Sequence, residues 1–206
     1  MTLRRITLPL SPDAARTLRA GEMVLLDGEI VITAGMPTIQ RLLDGIDAGQ
    51  PPPCDLRGAA LFHLGSHSED APDGALVVRY MNPTTSTRFN AMMPKLIRHF
   101  GLGAVGGKGG LDAACAAAMH EVGCVYLGFF GGAAPLLTDA IRAVVRVDFP
   151  DMIAHYRLVT LRVEALGPVT VGIDAHGNSL YDTLQSRAQS RLPQILARLA
   201  AARGQA

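Results

Sequence analysis

The stretch NPTTSTRFN, Asn82 to Asn90, sets four hydroxyl side chains and an arginine in five consecutive positions between a proline and an apolar run. Such a run serves neither helical nor strand periodicity. Its hydroxyls compete for their own backbone, so Thr84 to Thr87 belong in a turn. A plain structural role is available: Ser86 or Thr87 capping a following helix, with Arg88 a solvated surface charge. The flanking sequence decides between that role and a chemical one.

With 206 residues, 49% of them hydrophobic, the chain can bury a substantial core. Nineteen basic and eighteen acidic residues give a formal charge of +1, with no basic block or aromatic-basic stripe, which argues against nucleic acid or an anionic membrane as the main partner. The beginning, MTLRRITLPLSPDAAR, lacks the apolar core of a signal peptide. The longest uncharged run, Val122 to Thr138, is short for a membrane span and carries four glycines and a proline, so a cytoplasmic protein is expected. Cys54, Cys115 and Cys124 have no C-x-x-C spacing and are expected to be reduced core or loop thiols. The histidines His63, His67, His99 and His155 are scattered and match no metal-ligand motif, so no metal site is expected.

Working outward from the turn, MVLLDGEIVIT reads as a hairpin with Asp27-Gly28 at its tip. TIQRLLDGIDAG reads as a helix, with Ile39, Leu42, Leu43 and Ile46 at helical spacing. AALFHL and ALVVRYM read as strands separated by a polar turn, GSHSEDAPDG. AMMPKLIRHFG is a short helix ending at Gly101, and LDAACAAAMHEVG a second one closed by Gly123. CVYLGFF is a buried strand, APLLTDAIRAVV a helix, and YRLVTLRVEAL and VTVGID two strands. A helical tail from about residue 180 is interrupted near Pro193. Strands and helices interleave without a regular βαβ cadence, which implies a mixed α/β layered fold, and the length is compatible with one or two domains.

GLGAVG, residues 101–106, matches the dinucleotide fingerprint formally, but a helix precedes it where a strand is required. GGKGG lacks the first glycine and the hydroxyl of a phosphate loop. Lys108 is nevertheless unusual: glycines on both sides free the backbone to turn N–H groups toward an anion. With Arg88 and several hydroxyls it would make a coherent carboxylate site.

These motifs together resemble the β-type subunit, or C-terminal domain, of class I fumarases and L-tartrate dehydratases. NPTTSTRF at 82–89 is similar to that family's Gly-Pro-Thr-Thr-Ser-x-Arg-Met signature, and Gly107, Lys108 and Gly109 to its Gly-Lys-Gly loop. LRAGEMVLLDGEIVITAG, VYLGFFGGAAPLLT and VTVGIDAHGNSLYD extend the likeness over roughly residues 3–185. The resemblance implies a swivelling β/β/α fold in one domain, residues 1–206, and a hydro-lyase subunit, inactive alone. It also implies no cofactor in this chain and a partner α-type subunit holding a 4Fe-4S cluster. It implies Thr84 as the catalytic base and Arg88 and Lys108 as carboxylate binders, with Thr85, Ser86, Gly107 and Gly109 also facing substrate. The hydroxyls of the turn would then line an anion pocket. Three departures stand out: Gly35, Met36 and Ile39 occupy positions where the family has arginine, aspartate and histidine. Arg79, on the strand leading into the hydroxyl turn, is the candidate replacement. A changed substrate is one reading of these departures, and a non-catalytic carboxylate-binding or regulatory paralogue is the other.

Overall fold

A computed structural model describes residues 3–203. The chain runs through β1 (Arg4–Leu8), α1 (Pro12–Arg16), β2 (Met23–Ile32), α2 (Met36–Asp47), β3 (Ala60–Phe62), β4 (Leu64–Asp70) and β5 (Leu76–Pro83). A 3-10 turn (Ser86–Phe89) leads to α3 (Met93–Phe100), β6 (Ala104–Gly107), α4 (Ala113–Val122), β7 (Val125–Gly128) and α5 (Ala134–Asp139). Then follow β8 (Ile141–Asp148), β9 (Leu158–Ile173) and α6 (Leu180–Arg203).

Seven strands form one sheet in the order β1-β2-β3-β6-β7-β9-β8, and a further pairing of β2 with β9 closes β2, β3, β6, β7 and β9 into a five-stranded barrel. The first five strands of that order are parallel, while β9 runs antiparallel to both β7 and β2. Alternate side chains separate into two cores, as the period of a strand requires. Phe62, Ala104, Val125 and Leu127 join one cluster. Leu61, Val105 and Tyr126 join the other, where α2, α3 and α4 bring Ile39, Leu42, Leu96, Ile97 and Met119. Burial on both faces explains why β3, β6 and β7 read as uninterrupted apolar runs. The helices obey their local signals: Pro stands in the first turn of α2 and α3, and the Asp112 carboxylate caps α4 by accepting from the Cys115 N–H at 3.0 Å.

Several expectations are corrected. Asp27-Gly28 is not a hairpin tip: β2 passes straight through it, flanked by β1 on one side and β9 on the other. Gly28 is there because a Cβ would run into the carbonyl of Leu8 on β1, and Asp27 is held by Arg5 and by the Ala165 N–H at 2.8 Å. The segment GSHSEDAPDG is mostly strand, β4, paired with β5 in a separate two-stranded ribbon whose exposed side chains disguised it as a loop. The helix expected over residues 134–145 stops at Asp139, and the β-branched run after it becomes edge strand β8 on β9. The two strands expected at 156–174 are one, with Gly167-Pro168 falling between the pairs Leu166–Leu26 and Val169–Val24. Pro193 lies inside a continuous α6, in which no side chain is buried. A parallel βαβ cadence does exist, and the inserted β4–β5 ribbon hides it. Among the described residues no helix is long and apolar enough to cross a membrane.

Candidate functional site

The parallel pairing of β3 with β6 sets their C-terminal ends side by side, and the hydroxyl turn is sewn between them. His63, just past β3, donates its N–H to the Gly106 carbonyl at 2.7 Å, and its own carbonyl accepts from the Thr84 N–H at 2.8 Å. The Thr84 carbonyl accepts from the Lys108 N–H at 3.0 Å, and the Lys108 carbonyl from the Ser86 N–H at 2.8 Å. Thr85 and Lys108 thereby pair as a short parallel bridge. Two motifs twenty residues apart in sequence are thus fixed to each other by backbone, independently of any side-chain rotamer.

Side chains add to this frame. The 3-10 turn carries Arg88 round so that its Nη2 donates to the Thr84 hydroxyl and its Nε to the Thr85 carbonyl at 3.4 Å. Ser86 is fully buried, and its hydroxyl sits 2.9 Å from His63 Nδ1 and accepts from the Tyr126 hydroxyl at 2.9 Å. The Gly110 N–H in turn donates to the Tyr126 oxygen at 3.3 Å. This chain of donors is consistent if the Ser86 O–H donates a hydrogen bond to Nδ1 of a neutral His63 whose proton is on Nε2. His63 Nε2 is buried without a partner among the described residues, and the ring stacks on Phe89 at 4.2 Å. Burial, and then the nearby Arg88 guanidinium, depress the His63 pKa to about 3, so it is not a proton donor near neutrality. Burial likewise pushes the Tyr126 phenol up. Gly107 is required where β6 passes Ser86, since a Cβ would strike the Ser86 hydroxyl.

An open cleft of about 390 Å³ adjoins this frame, lined by Thr84 and Lys108 and by His67, Tyr80, Asn82 and His155; Arg88 is not part of its lining. The four hydroxyls do not line it together. Thr84 does, whereas Ser86 points into the core, Thr87 is exposed, and Thr85 pairs with the Lys108 backbone. Gly107 and Gly109 shape the loop and are absent from the cleft wall. The inward direction of Ser86 is not legible in the sequence, because a seryl hydroxyl carries no mark of the direction it faces. Arg79 is not a replacement guanidinium, for its Nε is bound to Glu69 across the ribbon at 2.8 Å. Gly35 is buried, and a Cβ there would meet the Tyr156 ring at 3.0 Å and the Thr38 hydroxyl at 2.5 Å. Sequence reasoning missed Tyr126, whose contribution depends on a partner forty positions away. It also left His155 unassigned, among scattered histidines.

Among the described residues no group of three or more His, Cys, Asp or Glu side chains is placed to hold a metal ion. Cys115 and Cys124 are buried and Cys54 half-buried, and burial raises all three thiols, Cys54 to about 11.

Comparison with known proteins agrees with the motifs. The family model described as "Fumarase C-terminus" matches residues 2–184. A protein of Geobacillus stearothermophilus provisionally named as a class I fumarate hydratase is 34% identical over 194 residues, which is 93% of this chain and 36% of that protein. The chain therefore spans about a third of that relative's length. A protein of Methanocaldococcus jannaschii provisionally named L(+)-tartrate dehydratase subunit beta is 29% identical over 188 residues, 91% of this chain and 95% of that one. The L(+)-tartrate dehydratase subunit beta of Escherichia coli K12 is 29% identical over 175 residues, 85% of each chain. With the signature turn and the Gly-Lys-Gly loop brought together at one cleft and a match running from residue 2 to 184, the chain belongs to the fumarase C-terminus family.

Proposed function

We propose that this chain is the β-type half of a hydro-lyase that adds water to, or removes it from, a hydroxy-carboxylic acid, completed by a cluster-bearing α-type subunit. The observation that carries the reading is the Thr84 hydroxyl, held by the Arg88 guanidinium at the edge of a cleft shared with Lys108. In this reading Thr84, as the alkoxide, takes the proton from the carbon next to a carboxylate. Threonine is a weak base in water, and a guanidinium hydrogen-bonded to its oxygen favours the charged form. Lys108, exposed at the cleft, binds the carboxylate whose enediolate develops as the proton leaves; such charge is stabilised most in the transition state. The C–H and C–O bonds break, a C=C bond forms, and water departs. The iron–sulfur cluster would supply a Lewis acid toward the leaving hydroxyl from the partner's side. The family's swivelling motion would close the two halves over substrate.

A non-catalytic carboxylate-binding paralogue is the second reading, favoured by the Tyr156 ring that closes position 35. Anaerobic co-expression with an α-type subunit separates the two. The first reading expects hydro-lyase activity that falls by roughly 10²-fold or more in Thr84→Val, the scale of losing a general base. A complex that forms, carries its cluster and turns over no hydroxy or unsaturated acid would leave the binding reading standing.

A further inference from the structure

Among the described residues, Lys108 is the one permanent cation that lines the cleft. Arg88 is not part of the lining and touches it through the Thr84 hydroxyl. The β4–β5 ribbon and the loop before β9 supply a second wall with His67, Tyr80 and His155, in which Tyr80, paired with His67, stands four positions before Thr84. These are two imidazoles and a phenol, and none is a permanent cation. The guanidiniums of the neighbouring backbone are engaged elsewhere. Arg79 pairs with Glu69 at 2.8 Å, and Arg157 pairs with Asp70 at 2.9 Å while also donating to the Met152 carbonyl at 3.1 Å. His67 faces Glu69 at 3.8 Å, so whatever charge its ring carries is already met by a carboxylate.

The same wall offers a flat apolar surface. The His67 and Tyr80 rings stack with centroids 5.3 Å apart and planes 25° apart, and Tyr80 is 49% exposed. A carboxylate desolvated against this wall would lose its water without gaining a cation, whereas an aryl or alkyl group would cover apolar surface. At position 35 the Tyr156 ring takes the space a side chain would need, and the Tyr156 backbone carbonyl accepts from the hydroxyls of Thr33 and Thr38. At about 390 Å³ the cleft is large enough for a small substituted acid, near the lower end of the roughly 300–1,000 Å³ typical of ligand sites.

We propose that this cleft binds a single carboxylate beside Thr84 and Lys108 and that His67, Tyr80 and His155 select an uncharged, planar or apolar group on the rest of the substrate, so that the substrate is a substituted hydroxy monocarboxylate and not a four-carbon dicarboxylate. The inference rests on the proposed function and names its substrate class. It is tested on the 206-residue chain by NMR titration with fumarate and with trans-cinnamate, the same unsaturated acid with a phenyl ring in place of the second carboxylate. Cinnamate should bind at least ten-fold more tightly and shift the ring signals of His67, Tyr80 and His155. Lys108→Met should weaken both acids, and Tyr80→Arg, which adds a guanidinium to the wall, should turn the preference toward fumarate. Fumarate binding as tightly as cinnamate, or a cinnamate preference that survives His67→Ala/Tyr80→Ala, would overturn the inference and leave the carboxylate site itself intact. Failure of both acids to perturb Thr84 or Lys108 would also overturn the inference, whereas the proposed function stands or falls by the activity of the complex with the α-type subunit.

Discussion

Lowering the pH from 7 to 5 should weaken the fold through His63 more than through any other group whose shift is established. Its folded pKa is depressed from the ordinary 6.5 to about 3, because the imidazole is fully buried and lies near the Arg88 guanidinium. The unfolded chain therefore takes up a proton that the folded chain refuses, and stability falls as pH falls through the window from about 6.5 down to 3. Between pH 7 and 5 one such site costs about 2 kcal/mol, at about 1.4 kcal/mol per pH unit once the unfolded histidine is mostly protonated. Asp27 does not confuse the measurement: Arg5 holds its carboxyl down to about 2, so the stability it contributes is present above the ordinary carboxylate value of 3.8 and is lost only below it. The assay is urea denaturation at pH 7, 6 and 5 for the native sequence and for His63→Asn, whose amide keeps a partner for Ser86. The variant is less stable at every pH because a ring is lost from the core, but its stability should decline by about 2 kcal/mol less over the interval. Parallel declines in the two proteins would show that His63 titrates normally, and hence that the buried donor chain through Ser86 does not hold it neutral.

Ser86→Ala strands the Tyr126 hydroxyl and His63 Nδ1 without their shared partner, and should cost about 2–4 kcal/mol in the denaturant-derived stability; a loss under about 0.5 kcal/mol would refute the network. In the active complex, Lys108→Met should lower kcat/KM by about 2 kcal/mol or more, while the exposed position leaves the unfolding midpoint of the chain nearly unchanged. Removing residues 187–206 should shift Tm by less than about 2 °C, since no side chain of α6 is buried; a larger drop would reveal packing that the fold does not account for.

Local chemistry made much of this protein legible in its sequence. Ile39, Leu42 and Leu43 at helical spacing, the prolines that open α2 and α3, and the Gly123 that closes α4 act on neighbours within four residues, and those elements stand where the pattern placed them. The turn at Thr84 to Thr87 and the loop around Lys108 were recognisable for the same reason. What the tertiary structure decided lies at longer range. Asp27-Gly28 is a hairpin signal read locally, yet β1 and β9 hold it extended through partners such as Leu8 and Val163. The run after Asp139 satisfies a helix as well as a strand, until β9 provides an edge for it to pair with. At the site, sequence named Thr84, Arg88 and Lys108, but only the adjacency of β3 and β6 joins them. Only the fold turns Ser86 inward to Tyr126, ties Arg79 to Glu69, and brings Tyr156 over Gly35. Periodicity and capping report energies exchanged between near neighbours, whereas the direction of a hydroxyl, the partner of a guanidinium and the ring that fills a glycine's space are set by groups that meet only once the barrel has closed.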